Sequence, residues 1–361
     1  MLHAMLRRIL TAGLMPIRTL RRVLKRDVPI NLGALYAFYD LKVEAITFDI
    51  VLFLAAADLE RRRQRLGRLC LIIVPGPVAG LRSEDPCYES VVDDAARRWR
   101  IHNILLAVIS LVPSCAGFTL AESRGEAAAL LAGAGDRIYP KTYELALPVA
   151  HHPNDFLLPA QAGVRPISVL RASTQALRYI DRWISLRAGS RRLVVITLRE
   201  YAYGSARNSN FSEWREFARR LDPIIWWPVF VPDTEQALED MSVKFSGCEI
   251  FGEVTWNVAL RMALYERAWL NLGVNNGPMA LCWLNDRTRY ITYKMETPSV
   301  SQTSIPFMRS RGFEPNQSLP SATAFQKWVW EDDTLGVIQR EFDAMVTTIE
   351  LAEKDMLAPG L

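Results

Sequence analysis

The segment from Trp269 to Trp283 carries the strongest chemical signal in the chain. An apolar run breaks into the polar stretch Asn275, Asn276, Gly277 and Pro278, then turns apolar again. That order predicts a buried strand, a loop and a helix. Gly277 can adopt backbone conformations closed to other residues, and Pro278 fits the first turn of a helix, where its missing N–H costs nothing. A helix start at the carboxyl end of a strand presents free N–H groups and partial positive charge, which suits nucleotide phosphates.

Two more loops should line the same crevice. In the first, Thr197, Leu198, Arg199 and Glu200 lead into Arg207, Asn208, Ser209 and Asn210. Arg199 and Arg207 could grip a diphosphate by forked hydrogen bonds. Asn208, Ser209 and Asn210 either bind sugar and phosphate oxygens or cap the next helix. In the second loop, Asp233 would accept from a ribose or base, or stabilise a helix N-terminus. Upstream of the Gly-Pro loop, Arg261 and Glu266 either support it as a buried pair or point into the cleft, where Glu266 would meet ribose hydroxyls. From the first half, Asp40 and Asp49 are candidates to take a proton from an acceptor hydroxyl, and Asp49 could instead cap its helix.

Several chemistries lose support. The chain has no GxSxG elbow, P-loop or GxGxxG fingerprint, which weighs against hydrolase, kinase and dehydrogenase readings. Asp332 and Asp333 fall in a stretch read as helical, not at a strand end, so metal-dependent sugar transfer is disfavoured. His151 and His152 have no third ligand at metal spacing, and the five cysteines form no CxxC pair. No metal and no cofactor are expected. The net charge of +4 does not point to nucleic acid.

These loops need two α/β units to hold them, and 361 residues suffice for two domains. Leu35–Tyr39 reads as a strand ending at Asp40. A helix capped at Thr47 follows, running from Ile50 towards Gly67, and then a buried strand over Leu69–Val74. This is a βαβ unit. A long helix over Val91–Leu111 and a strand over Gly117–Ala121 continue it. The Pro- and Gly-rich region 141–190 reads as an inter-domain crossing. Strands at Arg192–Leu198, Trp227–Val231, Leu270–Val274 and Tyr290–Tyr293 alternate with helices through 191–325, and 326–361 reads as a helix returning across the surface. The fold class is therefore α/β, with two Rossmann-like, doubly wound parallel sheets over 30–140 and 191–325. Residues 1–26 hold seven basic residues and no acidic one, with leucines and isoleucines at helical spacing. Such an amphipathic helix can lie on an anionic membrane. No apolar run reaches spanning length, and the expected location is cytoplasmic, peripheral to the inner membrane face.

Two alternating halves, a Pro-rich crossing and ligand loops in the second half resemble the GT-B architecture of glycosyltransferases. Residues 268–282 are similar to the strand–Gly-Pro–helix element of heptosyltransferase-like members. The strand Ile196–Arg199 resembles one that ends in arginine in the fucosyltransferase branch. The resemblance implies a nucleotide-sugar donor on the second domain and a glycan or lipid-linked acceptor on the first. It implies metal-independent transfer by single displacement with inversion. Arg199, Arg207, the Asn275–Gly277 loop and Lys294 would neutralise the leaving diphosphate, with Asp40 or Asp49 as base. Two alternatives stay open: a nucleotide-sugar epimerase of the same architecture, and a non-catalytic, membrane-docked scaffold on this fold.

Overall fold

The first strand, β1 (Ala34–Asp40), is buried along all seven residues, as a parallel strand covered on both faces must be. It lies in a computed structural model that describes residues 33–234 and 245–357. The amphipathic segment 1–26 lies outside the described residues. After β1, helix α1 (Ile50–Arg63) leads to β2 (Arg68–Val74). A short helix, α2 (Pro86–Glu89), capped by Asp85 on the Cys87 N–H, precedes the expected helix over 91–111. The latter starts at Asp94, where Asp93 accepts from the Ala96 N–H, and runs without interruption through α3 (Asp94–Arg100), a π-helical turn at Ile101–Leu105 and α4 (Leu106–Ile109). The edge strand β3 (Cys115–Leu120), helix α5 (Arg124–Ala134) and the two-residue β4 (Ile138–Tyr139) complete the first domain. Its sheet is parallel throughout, in the order β3-β2-β1-β4.

The crossing holds two helices, α6 (Asn154–Gln161) and α7 (Thr174–Arg187). Between them the chain ties the halves together. The Val169 N–H donates to the Leu284 carbonyl (3.0 Å) and the Arg171 N–H to the Leu111 carbonyl (2.8 Å). One apolar core runs from α1 in the first domain to α10 and α11, defined below, in the second.

The second domain proceeds through β5 (Arg192–Thr197), α8 (Phe211–Arg220), β6 (Trp226–Val231), β7 (Glu249–Ile250), α9 (Glu253–Trp256), α10 (Val258–Arg267), β8 (Leu270–Val274), α11 (Ala280–Trp283), β9 (Tyr290–Tyr293), α12 (Ile305–Ser310), β10 (Gln326–Trp328) and α13 (Leu335–Leu357). Its parallel sheet has the order β10-β9-β8-β5-β6-β7. Thr197 lies opposite both Val231 and Gly273, so the carboxyl ends of the central strands finish level. The tail differs from expectation twice. Residues 326–328 form an edge strand, paired in parallel with Tyr290–Thr292 of β9 and burying Gln326 and Trp328 on one side. Helix α13 stays on the second sheet, burying Ile338, Phe342, Met345 and Ile349 at spacings of four, three and four. Arg192 and Arg289 hold it by ion pairs to Glu350 (2.6 Å) and Glu353 (3.0 Å).

Candidate functional site

The strand order of the second sheet reverses between β5 and β8, the position at which ligands bind in open parallel sheets, and the loops after these two strands meet there. Arg207, on the turn Ser205–Arg207, bridges those loops by donating from Nη2 to the Asn275 carbonyl (3.0 Å). Its Nε is buried without a partner, and among the described residues no carboxylate comes within ion-pair distance. Burial pushes the guanidinium pKa down, while the charges of Asp49 and Tyr203 oppose that shift. The guanidinium thus keeps donor capacity for one more acceptor.

The charge that Arg207 feels comes from the other domain. Asp49 is exposed at the start of α1; Thr47 caps its backbone N–H (3.2 Å), and its carboxylate makes no capping bond. Beside it, Phe48 presses on the Gly-Pro loop: a Cβ on Gly277 would lie 2.8 Å from Phe48 Cδ2. Gly277 is therefore required by close approach and not, as expected, by a left-handed backbone, since its φ is not positive. Helix α11 is a single turn of four residues, shorter than expected. Asn276 accepts from the Met279 N–H (3.0 Å), and its own Nδ2 is buried without a partner. Among the described residues, no hydrogen bond uses the N–H of Asn276 or Gly277.

The other candidates of the second domain are engaged internally. Arg199 is held within its own loop. Its guanidinium donates to the carbonyls of Tyr203 (2.7 Å) and Gly204 (3.1 Å) and to Asn208 Oδ1, so the loop after β5 is wound around it. Asn208 also bonds the Tyr201 N–H and carbonyl (3.1 Å each). Asp233 accepts from the N–H groups of Glu200 (3.0 Å) and Thr234 (2.7 Å), fixing one loop against the next. Asn210 occupies the N-cap position of α8, but its side chain makes no capping bond; its N–H donates to Asp333 (2.7 Å). Lys294, at φ +53°, pairs with Asp332 (2.8 Å) and Asp333 (3.4 Å), so its ammonium is already neutralised. The two aspartates sit in the loop after β10, not in a helix. Asp333 is fully buried and also accepts from Trp214 Nε1 (2.7 Å); burial and its acidic neighbour push its pKa up. Among the described residues, no cluster of metal-ligating side chains occurs.

Two acidic candidates are displaced from any reaction. Asp40 is 1 % exposed and accepts twice from Arg124 (2.9 Å each), from the Tyr143 hydroxyl (2.7 Å) and from the Lys42 N–H (2.9 Å). Its carboxylate is a structural anchor with no free lone pair directed at a substrate. Glu266 sits at the wrong end of the sheet. Helix α10 runs antiparallel to β8 and finishes at the amino edge, where Glu266 accepts from the Ala172 N–H and Asn285 Nδ2 (2.7 Å each). Arg261 is not its partner; Nε of Arg261 donates to the Val254 carbonyl (2.9 Å).

Sequence reasoning missed the contacts across the cleft. Arg100 donates to the hydroxyls of Tyr201 (2.6 Å) and Tyr88 (3.0 Å), and Tyr88 packs edge-on against Tyr203. Two tyrosines flanking the Arg199 loop were the only available signal. On the first domain, a cavity of about 470 Å³ opens over the carboxyl ends of β1, β2 and β3, lined by residues including Leu41, Gly76, Arg98 and Ser123.

No protein-family model matches the chain. No curated protein matches it in sequence. Two solved structures share its architecture. A family 9 glycosyl transferase from Veillonella parvula aligns with a TM-score of 0.52 at 10% identity, over 88% of this chain and 97% of its own. The E. coli ADP-heptose LPS heptosyltransferase II aligns with a TM-score of 0.50 at 11% identity, over 88% of this chain and 99% of its own. At these identities the likeness is one of architecture, and the fold of this chain is the GT-B fold of glycosyltransferases.

Proposed function

We propose that the protein is a metal-independent, inverting glycosyltransferase that moves a sugar from a nucleotide-sugar to a glycan or lipid-linked acceptor of the cell envelope. One observation carries the reading. Arg207 is a partly buried cation with no anionic partner at ion-pair distance, and the Asp49 carboxylate of the first domain is near enough for its charge to act on it. The donor diphosphate would lie against Arg207 and the N–H groups of Asn276 and Gly277, where negative charge grows as the sugar–oxygen bond breaks. The acceptor hydroxyl would enter from the first-domain cavity. Asp49 takes its proton as the new bond forms on the opposite face of the sugar carbon, which inverts that centre. Arg199, Asn208, Asp233 and Lys294 serve this site as its framework, holding the loops that carry Arg207. Residues 1–26 would keep the chain at the inner membrane face, near such an acceptor.

A non-catalytic binding protein is the second reading. It is favoured by the internal pairing of Arg199 and Lys294, cations that a transferase of this type could have turned towards a ligand. Nucleotide release from a panel of nucleotide-sugars, measured with candidate acceptors and with or without EDTA, separates the two. The transferase reading expects release that EDTA leaves intact and that falls about 10²- to 10⁴-fold in Asp49→Asn while donor binding persists. Donor binding without any release, across the acceptor panel, would favour the binding protein.

A further inference from the structure

His151 lies outside the chemistry proposed above, yet it is among the most tightly held polar residues of the described chain. It is 6 % exposed and Glu44 is 5 % exposed. The two make a double contact: Glu44 Oε1 accepts from the His151 backbone N–H (2.8 Å), and Oε2 lies 2.8 Å from Nδ1. A carboxylate can only accept, so Nδ1 carries the proton. Nε2 is buried without a hydrogen-bond partner, and the imidazole meets the Phe53 ring edge-on at 5.7 Å between centroids.

Its connections explain what it does. Glu44 belongs to the loop between β1 and α1, the same loop that ends in Phe48 and Asp49. The crossing segment around His151 grips the second domain: Arg311 donates to the His151 carbonyl (3.3 Å), and His152 Nε2 lies 2.9 Å from the Ser310 carbonyl. Residues 310–311 belong to the excursion that leaves β9 at Lys294 and rejoins the sheet at Gln326. At the start of that excursion, the Met295 carbonyl accepts from Asn275, whose own carbonyl accepts from Arg207. The loop of the candidate base and the loop of the candidate anion receptor are thus tied to the two ends of segment 295–311, by hydrogen bonds at each end and by the chain between them.

We infer that His151 is a positioning residue, which through Glu44 sets the β1–α1 loop against the second-domain segment 304–312 and so fixes the distance between Asp49 and Arg207. The importance of that distance rests on the reading of the site given above; the mechanical link does not. Charge-assisted hydrogen bonds at a buried pair are strong enough to act as such a link, but contiguity alone is not coupling, so the link has to be measured.

Hydrogen–deuterium exchange on the full chain measures it without a substrate. His151→Ala removes the Nδ1 contact; His151→Asn retains a donor near the Nδ1 position; Glu44→Gln keeps the shape and removes the charge. The expected result is exchange about tenfold faster in His151→Ala and Glu44→Gln, both in peptides covering 41–49 and in those covering 304–312, with β5 unchanged and His151→Asn close to the parent. Should His151→Ala not fold, Glu44→Gln against His151→Asn gives the same comparison. Faster exchange in 41–49 alone, or His151→Asn as fast as Glu44→Gln, would overturn the inference. A protein that binds no nucleotide but shows the coupled exchange would refute the function proposed above and leave the link standing.

Discussion

Asp40 and Asp49 leave the same strand of the first sheet and meet opposite fates. Asp40 is sealed by Arg124, Tyr143 and a backbone N–H, whereas Asp49 remains exposed beside the other domain. Substitution should separate them. Asp40→Ala leaves the Arg124 guanidinium and the Tyr143 hydroxyl without their acceptor, and removing one partner of a buried pair costs about 3–5 kcal/mol. Urea unfolding should show that loss; a change below 1 kcal/mol would mean the anchor is dispensable. Asp49→Ala should leave stability almost untouched. In the sequence both are acids near the end of an apolar strand, and periodicity cannot tell them apart. The partners of Asp40 lie 84 and 103 positions along the chain, and only the fold reveals them. Arg199 misleads for a related reason, because it is consumed by carbonyls and an amide four to nine residues ahead of it, in a loop with no periodicity.

Between elements, the point of closest approach is Phe48 on Gly277. A methyl at Gly277 lands 2.8 Å from the Phe48 ring, so Gly277→Ala should cost about 1–3 kcal/mol through overpacking. A Phe48→Ala background should absorb most of that penalty, and a double-mutant cycle in thermal or urea unfolding reads the difference. Equal penalties in both backgrounds would place the strain elsewhere. The elements were legible where burial on both faces leaves a continuous apolar run, as in β1, β2, β5 and β8. They were illegible where pairing alone makes a strand: β4 and β7 have two residues each, too few for any pattern. The site was partly legible. The loops at the carboxyl ends of β5 and β8 do meet, and Arg207 does bridge them. The misplacement of Glu266 was avoidable, since a helix that feeds a parallel strand must end at the amino edge of the sheet.

Across the whole molecule, the cores bury many tyrosine hydroxyls, and this sets its behaviour at high pH. Burial pushes the Tyr265 hydroxyl up to about 12, and raises Tyr39, Tyr290 and Tyr293 as well. An unfolded tyrosine ionises near pH 10. The neutral native form is therefore fully stabilised below about pH 10, and that stability is lost as the pH rises towards 12. Tyr265 alone would account for about 3 kcal/mol over that range. The free energy of unfolding should fall steeply above pH 10, with a step of tyrosinate absorbance from the buried hydroxyls accompanying unfolding. Flat stability across that interval, or unfolding without a step of tyrosinate absorbance, would contradict the burial described for these residues.

Arg207 lies in one half of the molecule and Asp49 in the other, and the proposed role of Arg207 as an anion receptor can be tested first. The direct measurement is a thermal-shift titration of the parent protein and Arg207→Ala against UDP, GDP, ADP and CMP, with and without EDTA. A ligand that binds the folded state raises its stability by RT ln(1 + [L]/Kd), about 2.7 kcal/mol at a hundredfold excess over Kd. At least one nucleoside diphosphate should raise Tm of the parent, EDTA should change nothing, and Arg207→Ala should fold normally and abolish the shift. No shift for any of them in the parent, or a shift that survives in Arg207→Ala, would contradict the site described here.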